Sequence, residues 1–457
     1  MDKFVEKELN GWGRYRGSRS HIYRPEKVNG IAAAIRSGKE SSYIGRGLGR
    51  SYGDAALNQG GGVVLTERIN RFLSFEPNSG VVSCEAGVTL EEILKVFVPR
   101  GWFLPVTPGT KFVTMGGAVA CDVHGKNHHR DGSLSNFVLD LKLLLADGQQ
   151  IRASRDENSD LFWATVGGMG LTGMILSVTL KLRRIETAFI RVNYQRTRNL
   201  DETMRLLEEE DQDYTYSVAW VDGLAVGGSL GRSILIRGNH ATVDDLSPQQ
   251  ATQPLEFADR RTWTVPPQVP NFVLDRFSIR AFNSLYYRRF RQHPVNSIID
   301  YDRFFYPLDS LREWNRLYGK RGFIQYQCVF PPDTSRAALV EVLSRLSKGK
   351  IPLCLVVLKR FGAETGLLSF PMPGYTLALD MPMLGTPLLS VLHELDQWVV
   401  RQGGRVYLAK DACLSAEAFK GMYPRFGQWQ RIKTEMDPQN LFSSDLSRRL
   451  RITGVDD

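Results

Sequence analysis

The chain has 457 residues, 42% of them hydrophobic and 23% charged, with a formal net charge of +9. That length exceeds what one hydrophobic core supports and predicts two domains of a globular protein, not a disordered or fibrous one. No apolar run approaches the ~20 residues of a spanning helix, and the stretch MDKFVEKELNGWGRYRGSRS has no apolar h-region. Neither a transmembrane segment nor a secretory signal is therefore expected, and the expected location is cytoplasmic or peripheral to a membrane.

The basic balance admits nucleic acid, a membrane surface or an anionic substrate as partner, or simply a basic surface. No zinc-finger spacing, RNP-like strand or basic heptad helix accompanies it, so nucleic acid is not expected and phosphate-bearing small molecules or anionic lipid are favoured. The cysteines Cys84, Cys121, Cys328, Cys354 and Cys413 are odd in number and scattered, which argues against a disulfide framework or a structural zinc site.

In chain order, residues 27–187 read as alternating short strands and helices. The first glycine cluster, Gly45-Arg46-Gly47-Leu48-Gly49-Arg50-Ser51-Tyr52-Gly53, brings backbone N–H groups close to an anion or forms a plain turn. Val81–Cys84 reads as a strand. Thr89 opens a helix with Glu92 three residues on, a capping box; Leu90, Ile93, Leu94 and Phe97 share its inner face, and Pro99 and Gly101 end it.

The second cluster runs from Pro108 to Gly125. Its small residues Thr114, Gly116, Gly117 and Ala118 leave room for a bulky planar or phosphate-bearing ligand. His124, Lys126, His128 and His129 lack a carboxylate or thiolate at ligand spacing, so no metal is expected. His124, inside a glycine-lined segment, is the better site candidate.

The third cluster, Val166–Gly173, contains a literal GxGxxG. A Rossmann fingerprint follows a strand and opens a helix. Here the preceding SDLFWATV reads as helix, and MILSVTLKL alternates Val178, Leu180 and Leu182 against Ser177, Thr179 and Lys181 as a strand. A classical dinucleotide fold is therefore rejected.

The segment 188–404 alternates strand-like runs with helices and long loops. Gln325 and Gln327, spaced i,i+2 in FIQYQ, face one side of a strand. Residues 240–295 show little periodicity and read as a long connection. Within them, the basic aromatic stretch from Arg260 to Arg291 is either a cover that meets a lipid phosphate or membrane surface, or a loop whose aromatics pack on the second domain.

The three glycine clusters in this order, with Lys433-Thr-Glu-Met-Asp437-Pro-Gln-Asn-Leu-Phe442 near the end, resemble the vanillyl-alcohol-oxidase (PCMH-type) flavoproteins. The strings GWGR, GRGLGRSYGD, PVTPGT, VTMGGAVACDVHGKNHH, LFWATVGGMGLTG, AKDA and MYPR resemble, more closely, the decaprenylphosphoryl-β-D-ribose 2-oxidase family over nearly the whole chain. The resemblance implies an α+β fold. Its FAD domain would comprise 1–187 with a return at 405–457, and its substrate domain, 188–404, would be built on an antiparallel sheet.

It also implies an FAD-dependent oxidoreductase that oxidises the ribose 2-hydroxyl of a polyprenyl-phosphoryl sugar to a ketone. This is the first half of an epimerisation completed by a partner short-chain reductase for cell-wall arabinan. The alternatives are an aldonolactone or alditol oxidase and a non-catalytic flavin-binding partner protein.

Implied FAD contacts are Arg46, Gly47, Leu48, Gly49, Arg50, Ser51, Tyr52, Gly109, Thr110, Thr114, Gly116, Gly117, Cys121, His124, Gly125, Gly170, Tyr407 and Lys410. Arg50 stands where many relatives carry a flavin-linked His, which implies non-covalent FAD. Over the flavin ring the resemblance places Lys410, Lys359, Gln325, Gln327, Tyr306, Trp220 and His124. Lys410 is assigned as a cation near the flavin, His124 or Lys410 as base, and the glutamines as partners of sugar hydroxyls. Without the resemblance, both lysines would read as solvated surface groups. Ala378 stands where many of the family carry a Cys that nitroaromatic inhibitors trap.

Overall fold

The computed structural model describes residues 4–258, 260–267, 269–290 and 295–454. Met1–Lys3 and Arg291, the last residue of the basic aromatic stretch, lie outside the described residues. The fold is α+β. Strands Val5–Asn10, Gly17–Tyr23, Gly62–Leu65 and Tyr43–Arg46 form a mixed four-stranded sheet in that spatial order. Phe72–Glu76, Val81–Glu85, Met174–Lys181, Val138–Leu144 and Gln150–Ser154 form an antiparallel five-stranded sheet.

Local signals here match the structure. Thr89 caps the helix Leu90–Phe97 with a complete capping box, and Leu90, Ile93, Leu94 and Phe97 are buried. Gly101 closes the following turn in the left-handed region at φ 79°. The GxGxxG lies between the helix Ser159–Thr165 and the strand Met174–Lys181, the reverse of a Rossmann turn.

The second region is an eight-stranded antiparallel sheet. Its order is Val295–Asp300, Phe189–Thr197, Ser233–His240, Tyr216–Val221, Leu355–Phe361, Gly374–Pro382, Phe323–Phe330 and Arg405–Val406. Alternation decides what each face meets. Ile324, Tyr326, Cys328, Leu377, Leu379, Val356 and Leu358 share one core with Leu339 and Val342 of the helix Pro332–Lys348 and Leu388, Leu392 and Leu395 of the helix Thr386–Arg401. The other face carries the polar residues of the same strands. Residues 240–295 are not a featureless connection, as their weak periodicity suggested. They contain a well-anchored helix, Arg276–Arg289, whose inner face holds Ile279, Asn283 and Tyr287.

The chain end returns to the four-stranded sheet. Leu441 O accepts from Tyr43 N at 2.6 Å, and Ser443 N donates to Tyr43 O. The buried Lys433–Asp437 ion pair explains the closing signature. Asp437 accepts from Leu441 N and Phe442 N, and Lys433 donates to Phe442 O. These residues build a turn and supply no chemistry. No helix among the described residues is long and apolar enough to cross a membrane.

One core carboxylate carries a stability prediction. Asp396 accepts a 2.9 Å bond from Tyr326 OH, its Oδ2 has no partner among the described residues, and burial, aided by the nearby Asp411, pushes its pKa up to about 8. A folded-state pKa above the unfolded value stabilises fully at low pH, and that contribution is lost as pH rises from ~4 through about 8. Asp396→Asn keeps an acceptor for Tyr326 without the charge. It is expected to be more stable than wild type at pH 8, by on the order of 1–3 kcal/mol, with no advantage at pH 4. Denaturant titrations at the two pH values check this.

Candidate active site

The register assembles the site. Trp220 pairs with Val357, Leu355 with Asp380, Val357 with Ala378 and Lys359 with Thr376. Asp380 and Ala378 in turn pair with Gln325 and Gln327. Directly paired residues share a face, so Trp220, Lys359, Thr376, Ala378, Asp380, Gln325 and Gln327 lie on one side of the sheet. Across from them stand Tyr52, Cys121, His124, Tyr407 and Lys410. Gln325 Nε2 donates to Asp380 Oδ1 and, at 3.3 Å, to Tyr52 OH. Lys410 Nζ lies 3.8 Å from the Tyr52 ring centroid.

A hydrogen-bond chain fixes the tautomer of His124. Thr376 Oγ1 donates to Cys328 O at 2.9 Å, so its lone pair accepts from Gln327 Nε2 at 3.2 Å. The same amide donates to His124 Nε2 at 3.0 Å. The proton of a neutral ring is therefore on Nδ1, a buried donor with no partner among the described residues. Burial and, after it, the Lys359 charge hold His124 well below its ordinary pKa, so the ring is neutral. Neither Gln325 Oε1 nor Gln327 Oε1 has a hydrogen-bond partner among the described residues.

The lysines are not solvated surface groups. Burial lowers Lys359 to about 8. Lys410 is lowered by burial to about 7, against the opposing pull of Asp380, whose own carboxyl burial pushes up to about 7. Amine and carboxyl titrate as a unit. Lys126, in the same histidine-rich loop as His124, is also lowered by burial, to about 7, and lies 4.1 Å from the Phe304 ring centroid.

Sequence reading missed Asp380. Asp380 lies two residues from Ala378 in YTLALDMP, and only the strand register sets it against Gln325. The other histidines are structural. His128 Nδ1 accepts from Gly362 N, and His129 Nε2 lies 3.2 Å from Tyr214 O. Two further expected site residues make contacts of their own. Tyr306 is fully buried, with its hydroxyl 2.6 Å from Thr107 Oγ1. Trp220 packs edge-on to Tyr286 at 4.8 Å.

The glycine segments converge beside this face. A Cβ on Gly47 would stand 2.1 Å from Thr114 Oγ1, and one on Gly53 2.0 Å from Asp411 O. The first segment thus packs directly on the second and on the chain around Lys410. Thr114 caps the short helix Met115–Ala120 through Gly117 N, and Gly116 packs on Ala86. Space remains beyond Gly109, and Gly170 (φ 77°) meets only Ile44 at ordinary contact distance, while Gly117 sits close to Thr114 Oγ1 and Gly125 is packed against Thr107 O.

Arg46 bonds Asn10 O and Ala56 O, and Leu48 is half-buried between it and Arg50. Arg50 lies 3.8 Å over Trp12 and donates to Phe112 O. Ser51 O accepts from Trp12 N, Thr110 Oγ1 accepts from Phe112 N, and Tyr407 OH donates to Cys121 O at 2.9 Å. Open, glycine-lined backbone flanked by arginines fits a phosphate-bearing cofactor with a planar head. His124 Nδ1–H is a donor without an acceptor among the described residues, as such a site requires.

Ala378 is half-exposed on the site face, opposite Gln327. With a methyl there, no thiolate is available to a nitroaromatic compound activated at the site. Intact-mass spectrometry is expected to show no adduct on the wild type and one adduct on Ala378→Cys, with peptide mapping to residue 378.

Residues 20–154 match the family of FAD binding domains, and residues 383–450 match the D-arabinono-1,4-lactone oxidase family. The third glycine cluster lies outside both matches. The chain is 39% identical to the decaprenylphosphoryl-beta-D-ribose oxidase of Mycolicibacterium smegmatis, over 98% of each chain. It is 36% identical to an uncharacterized Streptomyces coelicolor protein encoded in the mprA 5' region, over 79% of this chain and all of that one. It is 23% identical to the L-gulonolactone oxidase of Mus musculus, over 95% and 96% of the two chains. A loop-built cradle, a polar sheet face set against the half-buried Lys410, and full-length identity at this level lead to one conclusion: the chain is an FAD-dependent oxidoreductase of PCMH-type fold and belongs to the decaprenylphosphoryl-β-D-ribose oxidase family.

Proposed function

We propose that this protein oxidises the ribose 2-hydroxyl of a polyprenyl-phosphoryl-β-D-ribose to the 2-keto sugar, and that a separate reductase then completes epimerisation to the arabinose donor for cell-wall arabinan. The observation that carries the reading is the sheet face bearing Gln325, Gln327, Lys359 and Asp380 opposite His124 and Lys410. The flavin region is taken as 1–187 with 405–457, and the substrate region as 188–404. Bound FAD supplies the hydride acceptor.

The free Oε1 atoms of Gln325 and Gln327 accept from sugar hydroxyls and orient the ring. Lys410, lowered by burial to about 7, takes the hydroxyl proton as the C–H bond breaks. Lys359 supplies positive charge, and His124 Nδ1–H donates a hydrogen bond. FAD is held without a histidyl bond, because Arg50 occupies that position; acid precipitation is expected to release all flavin into the supernatant.

The test is anaerobic mixing with a polyprenyl-phosphoryl ribose. The visible flavin absorbance is expected to bleach, and persistence of the colour overturns the assignment. The match at residues 383–450 favours a second reading, an aldonolactone or alditol oxidase. Faster turnover of free lactones or alditols than of the prenyl-phosphoryl sugar would establish it.

A further inference from the structure

The helix Arg276–Arg289 is held firmly on its inner side. Asn283 Nδ2 donates to Asp222 at 2.7 Å, Tyr287 OH donates to Thr197 O at 3.0 Å, and Arg196 and Arg232 flank the Tyr287 ring at 4.2 and 4.6 Å. Its outer side departs from what a water-facing helix carries. Phe277 is 85% exposed, Leu285 69% and Phe282 56%. Phe277 and Leu285 lie two turns apart on one face, with Phe282 beside them. The helix contains no acidic residue, and Arg280 and Arg288 form no ion pair among the described residues. Clustered exposed aromatics mark a contact surface, and unneutralised arginines among them select an anionic one.

This surface is continuous with the active site. Phe282 stacks on Tyr286 at 5.9 Å, and Tyr286 meets Trp220 edge-on at 4.8 Å. Trp220 lies on the sheet face that carries Lys359 and the glutamines.

We propose that the outer face of this helix docks the protein on an anionic phospholipid bilayer. Phe277 and Leu285 enter the acyl region, Arg280 and Arg288 meet the headgroup phosphates, and a prenyl tail passes from the bilayer to the site along Phe282, Tyr286 and Trp220. The tail path rests on the substrate reading above; the docking does not.

The test is cosedimentation of the full-length, FAD-loaded protein with vesicles of phosphatidylcholine alone and of phosphatidylcholine with phosphatidylglycerol. Binding is expected on the anionic vesicles, to weaken in high salt, and to fall at least tenfold in Phe277→Ser/Leu285→Ser and in Arg280→Gln/Arg288→Gln. Unchanged visible flavin spectra and melting temperatures establish that both variants are folded. Equal binding of wild type to neutral and anionic vesicles, no binding to either, or undiminished binding by the variants overturns the proposal. So does a wild-type dimer in analytical ultracentrifugation that Phe277→Ser/Leu285→Ser dissociates, because a second copy then covers the face. Vesicle binding without flavin bleaching by a prenyl-phosphoryl ribose sinks the substrate reading alone. Bleaching without vesicle binding sinks the docking alone.

Discussion

Arg449→Met is expected to destabilise the protein by about 3–5 kcal/mol, the cost of removing one partner from a buried ion cluster, and to impair FAD retention. Arg449 bridges two carboxylates from distant parts of the chain. Nε and Nη2 grip Asp54 at 2.8 and 2.7 Å, Nη2 also reaches Asp411 at 2.8 Å, and Nη1 donates to Leu414 O. The side chains of Asp54 and Asp411 are only 3% and 2% exposed. Without the guanidinium, two carboxylates face each other out of water.

Asp54 directly follows the first glycine segment, and Asp411 follows Lys410, so the same fork ties the cofactor cradle to the active-site lysine. Arg449→Lys keeps the charge but loses the bidentate geometry, and its loss is expected to be intermediate. Guanidinium unfolding, with FAD retention on gel filtration as the second readout, checks both variants. A methionine variant as stable as wild type would show that the clamp contributes nothing.

The clamp also marks where sequence reading stops. What was legible came from short windows. The capping box at Thr89, the alternation in Met174–Lys181 and the glycine segments are read within a dozen residues, because the contacts that select them are local. Gln325 and Gln327 were placed on one face by period alone, but what they face required the pairing of five strands spread over residues 216–406. Asp380 was missed for that reason. A lone carboxylate in YTLALDMP acquires meaning only when the register sets it against Gln325.

The helix Arg276–Arg289 was hidden for a different reason. It buries Asn283, satisfied by Asp222, and exposes Phe277 and Leu285. A rule that puts apolar residues inside reads such a pattern as aperiodic. Lys359 and Lys410 show the same limit: their lowered proton affinity comes from burial, which no local window records.

Lys410→Met is expected to slow flavin bleaching by about 10²–10⁴-fold, the range for loss of a positioned general base, while FAD stays bound. Other groups at the site are unsuited to take the proton. His124 accepts from Gln327 at Nε2 and presents Nδ1–H, so it donates. Tyr52 is buried and its phenol held well above the usual range by that burial, so it stays protonated. Lys359 is lowered less, to about 8, and remains mostly cationic at neutral pH.

Lys410, lowered to about 7 by burial, is the amine on the basic side of that value and the ammonium on the acidic side. The wild-type rate constant is therefore expected to rise with pH through about 7, and this limb is expected to be absent in Lys410→Met. Asp380 opposes the lowering, so removing its charge in Asp380→Asn makes the amine available at lower pH and moves the limb toward acid. Stopped-flow bleaching across pH 5.5–8.5 separates the possibilities. A limb that stays in place in Asp380→Asn assigns the titration elsewhere, and one that falls with rising pH shows that the ammonium, not the amine, is the working form.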